Sequence, residues 1–236
     1  LPLETSTVCA GDPDSVDVEL VQRTGADRTH VISSRTVPVR PGQFVISEGS
    51  VEPTVDYSAD VTLLGTGFTY GAGGPNIPIT VGVSVGTDTY TPWPGNVNDA
   101  GNPRTATYAD REAGEGIVVT AEGLAFGGYA GHEVDSAAEE GTFVHVLRNG
   151  SDAPDVEGFG DQADAAAFVE DYVEDGRIVL DDNQAIYLFE LSHSTGNSGA
   201  DFQDAVVLVS LDTVSSTVTV DEGGEGEAVV LCPADA

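Results

Sequence analysis

Ala205-Val206-Val207-Leu208-Val209, read with Ile79-Thr80-Val81-Gly82-Val83-Ser84-Val85, decides the fold class. The second stretch puts Ile79, Val81, Val83 and Val85 on alternate positions, the period of a strand with one buried face. The first has no alternation and predicts a strand covered on both faces. Outward from these, Val16-Asp17-Val18-Glu19-Leu20 alternates cleanly. Residues 31–39, 44–46, 61–64, 117–126, 142–147, 184–191, 214–220 and 228–231 read as further strands, rich in Val, Ile and Thr. Gly65 and Gly67 predict a bulge or bend within a strand pair. Asn149-Gly150 is a tight-turn signal. The stretch 92–104, with Trp93 near its start, reads as a long irregular loop. Only 161–174 breaks the β pattern, with Phe168, Val169, Tyr172 and Val173 as a helical stripe and Gly176 as a stop. The expected fold is all-β: an antiparallel β-sandwich, jelly-roll-like, of about ten to twelve strands with one inserted helix near 161–174.

The charge narrows the setting more than the chemistry. Among 236 residues there is no lysine, and 8 Arg face 40 Asp and Glu, for a formal net charge of -32. At physiological ionic strength the Debye length is about 8 Å and such self-repulsion opposes folding; at molar salt it falls to roughly 3 Å. A concentrated-salt habitat is the expectation. Nucleic acid is an unsuitable partner, since eight scattered Arg build no basic patch. No apolar run reaches the ~18 residues of a membrane span. Absence of methionine suggests a mature exported chain whose signal peptide has been removed.

Residues 1–9 are expected to form an extended N-terminal strand, and 10–236 a single β-sandwich domain. Cys9 and Cys232 lie near the two ends. In an exported chain they suggest a disulfide, closed within one chain or between neighbours. The intrachain form contributes about 5 kcal/mol on the loop-entropy argument.

Catalytic signals are thin. Gly82-Val83-Ser84-Val85-Gly86 matches the serine-hydrolase G-x-S-x-G, but lies inside an alternating strand rather than at a strand-to-helix turn. His30, His132, His145 and His193 form no metal-type spacing. Asp12, Asp14 and Asp17 surround one loop and are candidate calcium ligands, so Ca2+ is the one ion suggested. Trp93 could stack on a sugar or pin its loop to the core. Asn149-Gly150-Ser151 is a glycosylation sequon. Leu1, Leu3, Thr5 and Val8 belong to an apolar strand able to complete its own sheet or add to a neighbour's edge.

The lysine-free acidic composition resembles that of haloarchaeal exported proteins. Val156-Glu157-Gly158-Phe159-Gly160-Asp161, Ala185-Ile186-Tyr187-Leu188-Phe189-Glu190-Leu191 and Asp201-Phe202-Gln203-Asp204-Ala205-Val206-Val207-Leu208-Val209 resemble segments of uncharacterised haloarchaeal surface proteins. In architecture the chain is similar to TasA-like and camelysin-like matrix fibre subunits and to archaeal bundling pili. These resemblances imply an extracellular filament or pilus subunit, polymerised with itself head-to-tail by donating its first strand. A monomeric, secreted or cell-surface binding module for glycans or calcium is the alternative, and a secreted hydrolase the third reading.

Overall fold

The computed structural model describes residues 4–8, 15–23, 29–38, 44–47, 49–95, 104–155, 158 and 163–213. Where the sequence suggested one domain over 10–236, the chain divides into two units: Leu1–Pro41 with Val214–Ala236, and Gly42–Thr213. In the first unit β1 (Glu4–Val8), β2 (Ser15–Arg23) and β3 (Thr29–Pro38) form an antiparallel sheet in that order. β1 pairs with β2 along its length, from Glu4 opposite Val21 to Val8 opposite Asp17. Thr5 and Val8 therefore sit in a strand already paired within its own chain. Leu1, Leu3, Cys9, Asp12, Asp14, Cys232 and the strands expected at 214–220 and 228–231 lie outside the described residues.

The second unit is the sandwich. Its strands are β4 (Phe44–Ser47), β5 (Ser50–Pro53), β6 (Tyr57–Thr66), β7 (Ile79–Val85), β8 (Asp88–Trp93), β9 (Arg104–Arg111), β10 (Ile117–Gly123), β11 (His132–Asp135), β12 (Val144–Leu147), β13 (Val173–Glu174), β14 (Arg177–Ile178), β15 (Gln184–Phe189) and β16 (Ala205–Thr213). Two helical turns, α1 (Ser136–Glu139) and α2 (Ala165–Phe168), complete it. One sheet runs β4-β5-β10-β7-β8 with β11 also on β10; the other runs β12-β15-β16-β6-β9. A plain jelly roll has eight strands in two sheets. Here the sheets hold six and five, and β13 and β14 form a separate hairpin.

The two quoted stretches explain the layering. On β7, Ile79, Val81, Val83 and Val85 are fully buried, while Thr80 and Ser84 are only partly so. They meet Ala205, Val207, Val209 and Leu211 of β16 in the core between the sheets. The intervening Val206 and Leu208 face the opposite way, into a second core with Leu64, Val169, Ile178 and Ile186. β16 is thus buried on both faces, as its unalternating sequence requires. The bulge expected near Gly65 is present: Val206 opposes Gly65 and Val207 opposes Leu63, leaving Leu64 as the extra residue. Gly65 is needed there, because a Cβ would lie 2.4 Å from the Phe168 ring that covers this face.

The helix expected at 161–174 shrinks to one α-turn, Ala165–Phe168, and a 3-10 turn, Glu170–Tyr172. Val169 is drawn into the second core, and Val173 instead pairs with Ile178 in the β13–β14 hairpin. Asp175 and Gly176, both at positive φ, make the hairpin turn, so Gly176 serves a strand reversal rather than a helix stop. Trp93 ends β8 and is 6% exposed, locked in the main core.

Candidate functional site

β15 runs apolar and buried through Leu188 and Phe189, and the next residue is an acid. Glu190 is 1% exposed. Removing a carboxylate from water costs several kcal/mol unless donors replace the lost hydration. Five donors converge on it. Its Oε1 accepts from the Ser192 amide (3.0 Å), the Ser192 hydroxyl (2.7 Å) and the His193 amide (3.0 Å). Its Oε2 accepts from the amides of Asp201 (2.9 Å) and Phe202 (3.4 Å). One side chain therefore gathers both ends of the exposed loop that joins β15 to β16. Phe202 is held at a φ of 55°, a left-handed conformation costing a bulky residue about 1–3 kcal/mol. Its ring turns inward against His145, with centroids 4.1 Å apart. Burial holds the His145 imidazole below its ordinary range, with Glu140 opposing.

Two more acids are buried beside Glu190. Asp204 accepts from the Leu191 amide at 2.6 Å, and Asp201 accepts from the Gln203 side-chain amide at 3.0 Å. Asp204 is pushed well above the usual carboxylate range, by burial first and by the adjacent Glu190 second; the Leu191 amide opposes. Tyr129 donates its hydroxyl to the Leu191 carbonyl at 2.7 Å. Its phenol is raised above the ordinary value by burial and then by the charges of Asp204, Glu190 and Glu122.

Over this floor lies a cavity of about 370 Å³, walled by Phe68, Tyr70, Ile77, Tyr129, His193 and Asp201, with Asp204 also reaching it. Phe68 and Tyr129 meet edge-to-face at 5.2 Å. At the rim Tyr70 is 45% exposed and packs edge-to-face on Phe126, itself 36% exposed, at 6.4 Å. Gly128 permits this placement: a Cβ there would come within 2.6 Å of the Tyr70 hydroxyl.

Ser192, His193 and Glu190 invite comparison with a catalytic triad. A triad acid orients the imidazole through the nitrogen remote from the serine. Here Ser192 Oγ lies 2.5 Å from His193 Nδ1, and Glu190 Oε1 approaches that same nitrogen at 3.9 Å. The serine hydroxyl donates to Glu190. The geometry is that of a capped turn. Ser84 of the G-x-S-x-G match stands on β7, 3.4 Å from Thr89 Oγ1 of the neighbouring strand, away from any helix N-terminus.

The other residues singled out by sequence lie elsewhere. Asp17 is in β2, paired with Val8 and Thr36 through the backbone. Asn149 is exposed at a turn, its Oδ1 accepting from the Leu180 amide at 3.3 Å. His132 packs against Phe143, apart from the cavity. Among the described residues no three His, Cys, Asp or Glu side chains are placed to hold a metal ion. No helix among them is long and apolar enough to cross a membrane. No family model, curated protein or solved structure matches the chain.

Asp204 carries a pH signature. A carboxyl whose folded value is raised binds more protons in the folded state, so its contribution is complete below the unfolded value and is lost as pH rises through the folded one. Asp204→Asn, which keeps a neutral group in place, removes this term. Denaturant titrations should show the native chain losing stability relative to Asp204→Asn as pH rises from about 3.8 toward neutrality. Parallel profiles for the two proteins would contradict the buried pairing with Glu190.

Proposed function

We propose that the chain is an exported, salt-adapted binding module whose β-sandwich captures a glycan at the cavity beside Tyr70. The observation that carries this reading is the exposed Tyr70–Phe126 pair at the mouth of an aromatic-walled cavity with a polar floor. Aromatic side chains exposed together are costly to solvate and mark binding surfaces. A sugar ring presents an apolar C–H face for stacking and hydroxyls for the few polar groups below, the mix typical of ligand pockets of about 300–1,000 Å³. Ser192 and His193 at the rim and Asp201 within supply those groups. The lysine-free acidic composition supports export into concentrated salt. Glycan-array screening followed by calorimetry in molar salt tests the reading. Tyr70→Ala should weaken the bound glycan by at least roughly tenfold, the worth of one stacking contact, with the circular dichroism spectrum unchanged. Equal binding by the variant, or no glycan bound, contradicts it.

A second reading, a head-to-tail filament made by donating the first strand, has one observation in its favour. β1 is an edge strand with β2 as its one neighbour among the described residues. Donation would exchange this pairing for the same pairing in the next subunit, a swap that conserves hydrogen bonds. Negative-stain microscopy in molar salt should then show fibres that vanish when residues 1–8 are deleted. Fibres that survive the deletion, or none from the intact chain, rule out donation.

A further inference from the structure

We propose that Asn149 is a covalent glycan-attachment site, and that the first sugars of that glycan lie in the groove between its turn and β4. The inference is separate from the cavity beside Tyr70 and takes from the reading above only that the chain is exported. Asn149-Gly150-Ser151 is the one Asn-x-Ser/Thr sequence in the chain. The turn by itself accounts for Gly150, which sits at a φ of 81°. Asn149 is not among the residues at positive φ, so no left-handed position demands it. Its Oδ1 accepts from the Leu180 amide. An Asp would accept that bond as well, and this chain carries Asp or Glu at 40 positions. What the carboxamide adds is Nδ2, which makes no hydrogen bond among the described residues. The backbone around it is fixed. The Arg148 amide donates to Ser151 Oγ at 2.9 Å, the Gly150 amide to the Ile178 carbonyl at 2.8 Å, and the Ile178 amide to the Ser151 carbonyl at 2.8 Å. These bonds hold the acceptor nitrogen and the hydroxyl of the third sequon residue on one surface turn, with the Ser151 O–H still able to donate.

The groove beside this turn has a volume of about 390 Å³ and is lined by Asn149 itself, by Phe44 and Val45 of β4, and by Arg148, Asp182 and Gln184. β4 is the outermost described strand of its sheet. Among the described residues four large apolar side chains stand exposed: Tyr70 and Phe126 at the cavity above, and Val45 and Val179, each 49% exposed. The last two flank Asn149. Val45 shares its groove, and Val179 precedes the Leu180 whose amide holds it. Apolar surface on an outermost strand invites pairing with another chain. A glycan rooted at Asn149 covers it, setting a C–H face of the sugar against Val45 and its hydroxyls against Arg148, Asp182 and Gln184. Arg148 already spans the groove, its Nη2 donating to the Ile46 carbonyl at 3.4 Å.

The attachment is a group transfer from a polyprenyl-phosphate-linked glycan, the co-reactant of the export membrane. Nδ2 bonds to the anomeric carbon as that carbon's bond to the phosphate oxygen breaks. The phosphate leaves with the bonding pair, and one Nδ2 proton passes to a base of the transferase.

The test is glycopeptide mapping by mass spectrometry of the full chain, secreted behind an export signal by a halophilic host with an N-glycosylating pathway. The peptide holding Asn149 should be heavier by the mass of one or more sugars. Asn149→Gln and Ser151→Ala should each be secreted without that mass, and Ser151→Thr should restore it. An unmodified Asn149 in the secreted native chain overturns the inference and leaves the Tyr70 cavity untouched. Hydrogen exchange then compares the sugar-bearing chain with the same chain from a host lacking the pathway. The amides of 44–47 should exchange at least roughly threefold more slowly with the sugars in place. Equal exchange in the two forms overturns the seating in the groove, with Asn149 still the acceptor.

Discussion

The loop that walls the cavity depends on burying one carboxylate. Glu190 sits where an apolar strand would ordinarily continue, and its two oxygens hold both ends of the loop between β15 and β16. The desolvation cost of such a group is several kcal/mol, and the chain offsets it with backbone amides that are themselves left without strand partners. The exchange is reciprocal: the loop's amides need an acceptor, and the acid needs donors. From it follow the left-handed Phe202, the inward Asp204 and the wall of the cavity.

The same loop joins two strands of the most enclosed layer in the structure. β15 and β16 are covered by the opposing sheet on one face and by the segment carrying α2, β13 and β14 on the other. A loop anchored at both ends to such strands is rigid where it is rooted and exposed where it is not: Leu191 and Asp201 are buried, and the residues from Ser192 to Asn197 are exposed. That combination suits recognition, since the strands and the acid position the loop's contact groups before any ligand arrives.

Much of the architecture was legible because burial leaves a pattern. Val206 and Leu208 interrupt the alternation of β16, which is how a two-sided strand announces itself, and Gly65 marks its bulge. The helix at 161–174 misled because its apolar residues fit a helical stripe and a strand hairpin equally. Asp175-Gly176 decides for the hairpin, and Val173 is a β-branched residue that suits it. The division at Gly42 was not legible, because neither side shows a linker composition. Trp93 drew attention as a lone tryptophan among prolines, yet a large apolar ring at a strand end has more to gain from the core. The site itself was half visible: Leu188-Phe189-Glu190-Leu191 sets an acid inside an apolar run, a warning of a buried charge. No spacing reveals that Asp201 and Asp204 return to it, since a loop closes that distance.

Amide hydrogen exchange followed residue by residue tests the central role of Glu190 most directly. The amides of Ser192, His193, Asp201 and Phe202 should exchange slowly, on the scale of β15 and β16, although Ser192 and His193 are solvent-exposed. Glu190→Gln should release these four while leaving β7 and β10 protected. Rapid exchange of the four amides in the native chain, at the rate of exposed neighbours such as Thr195 and Gly196, would contradict the account.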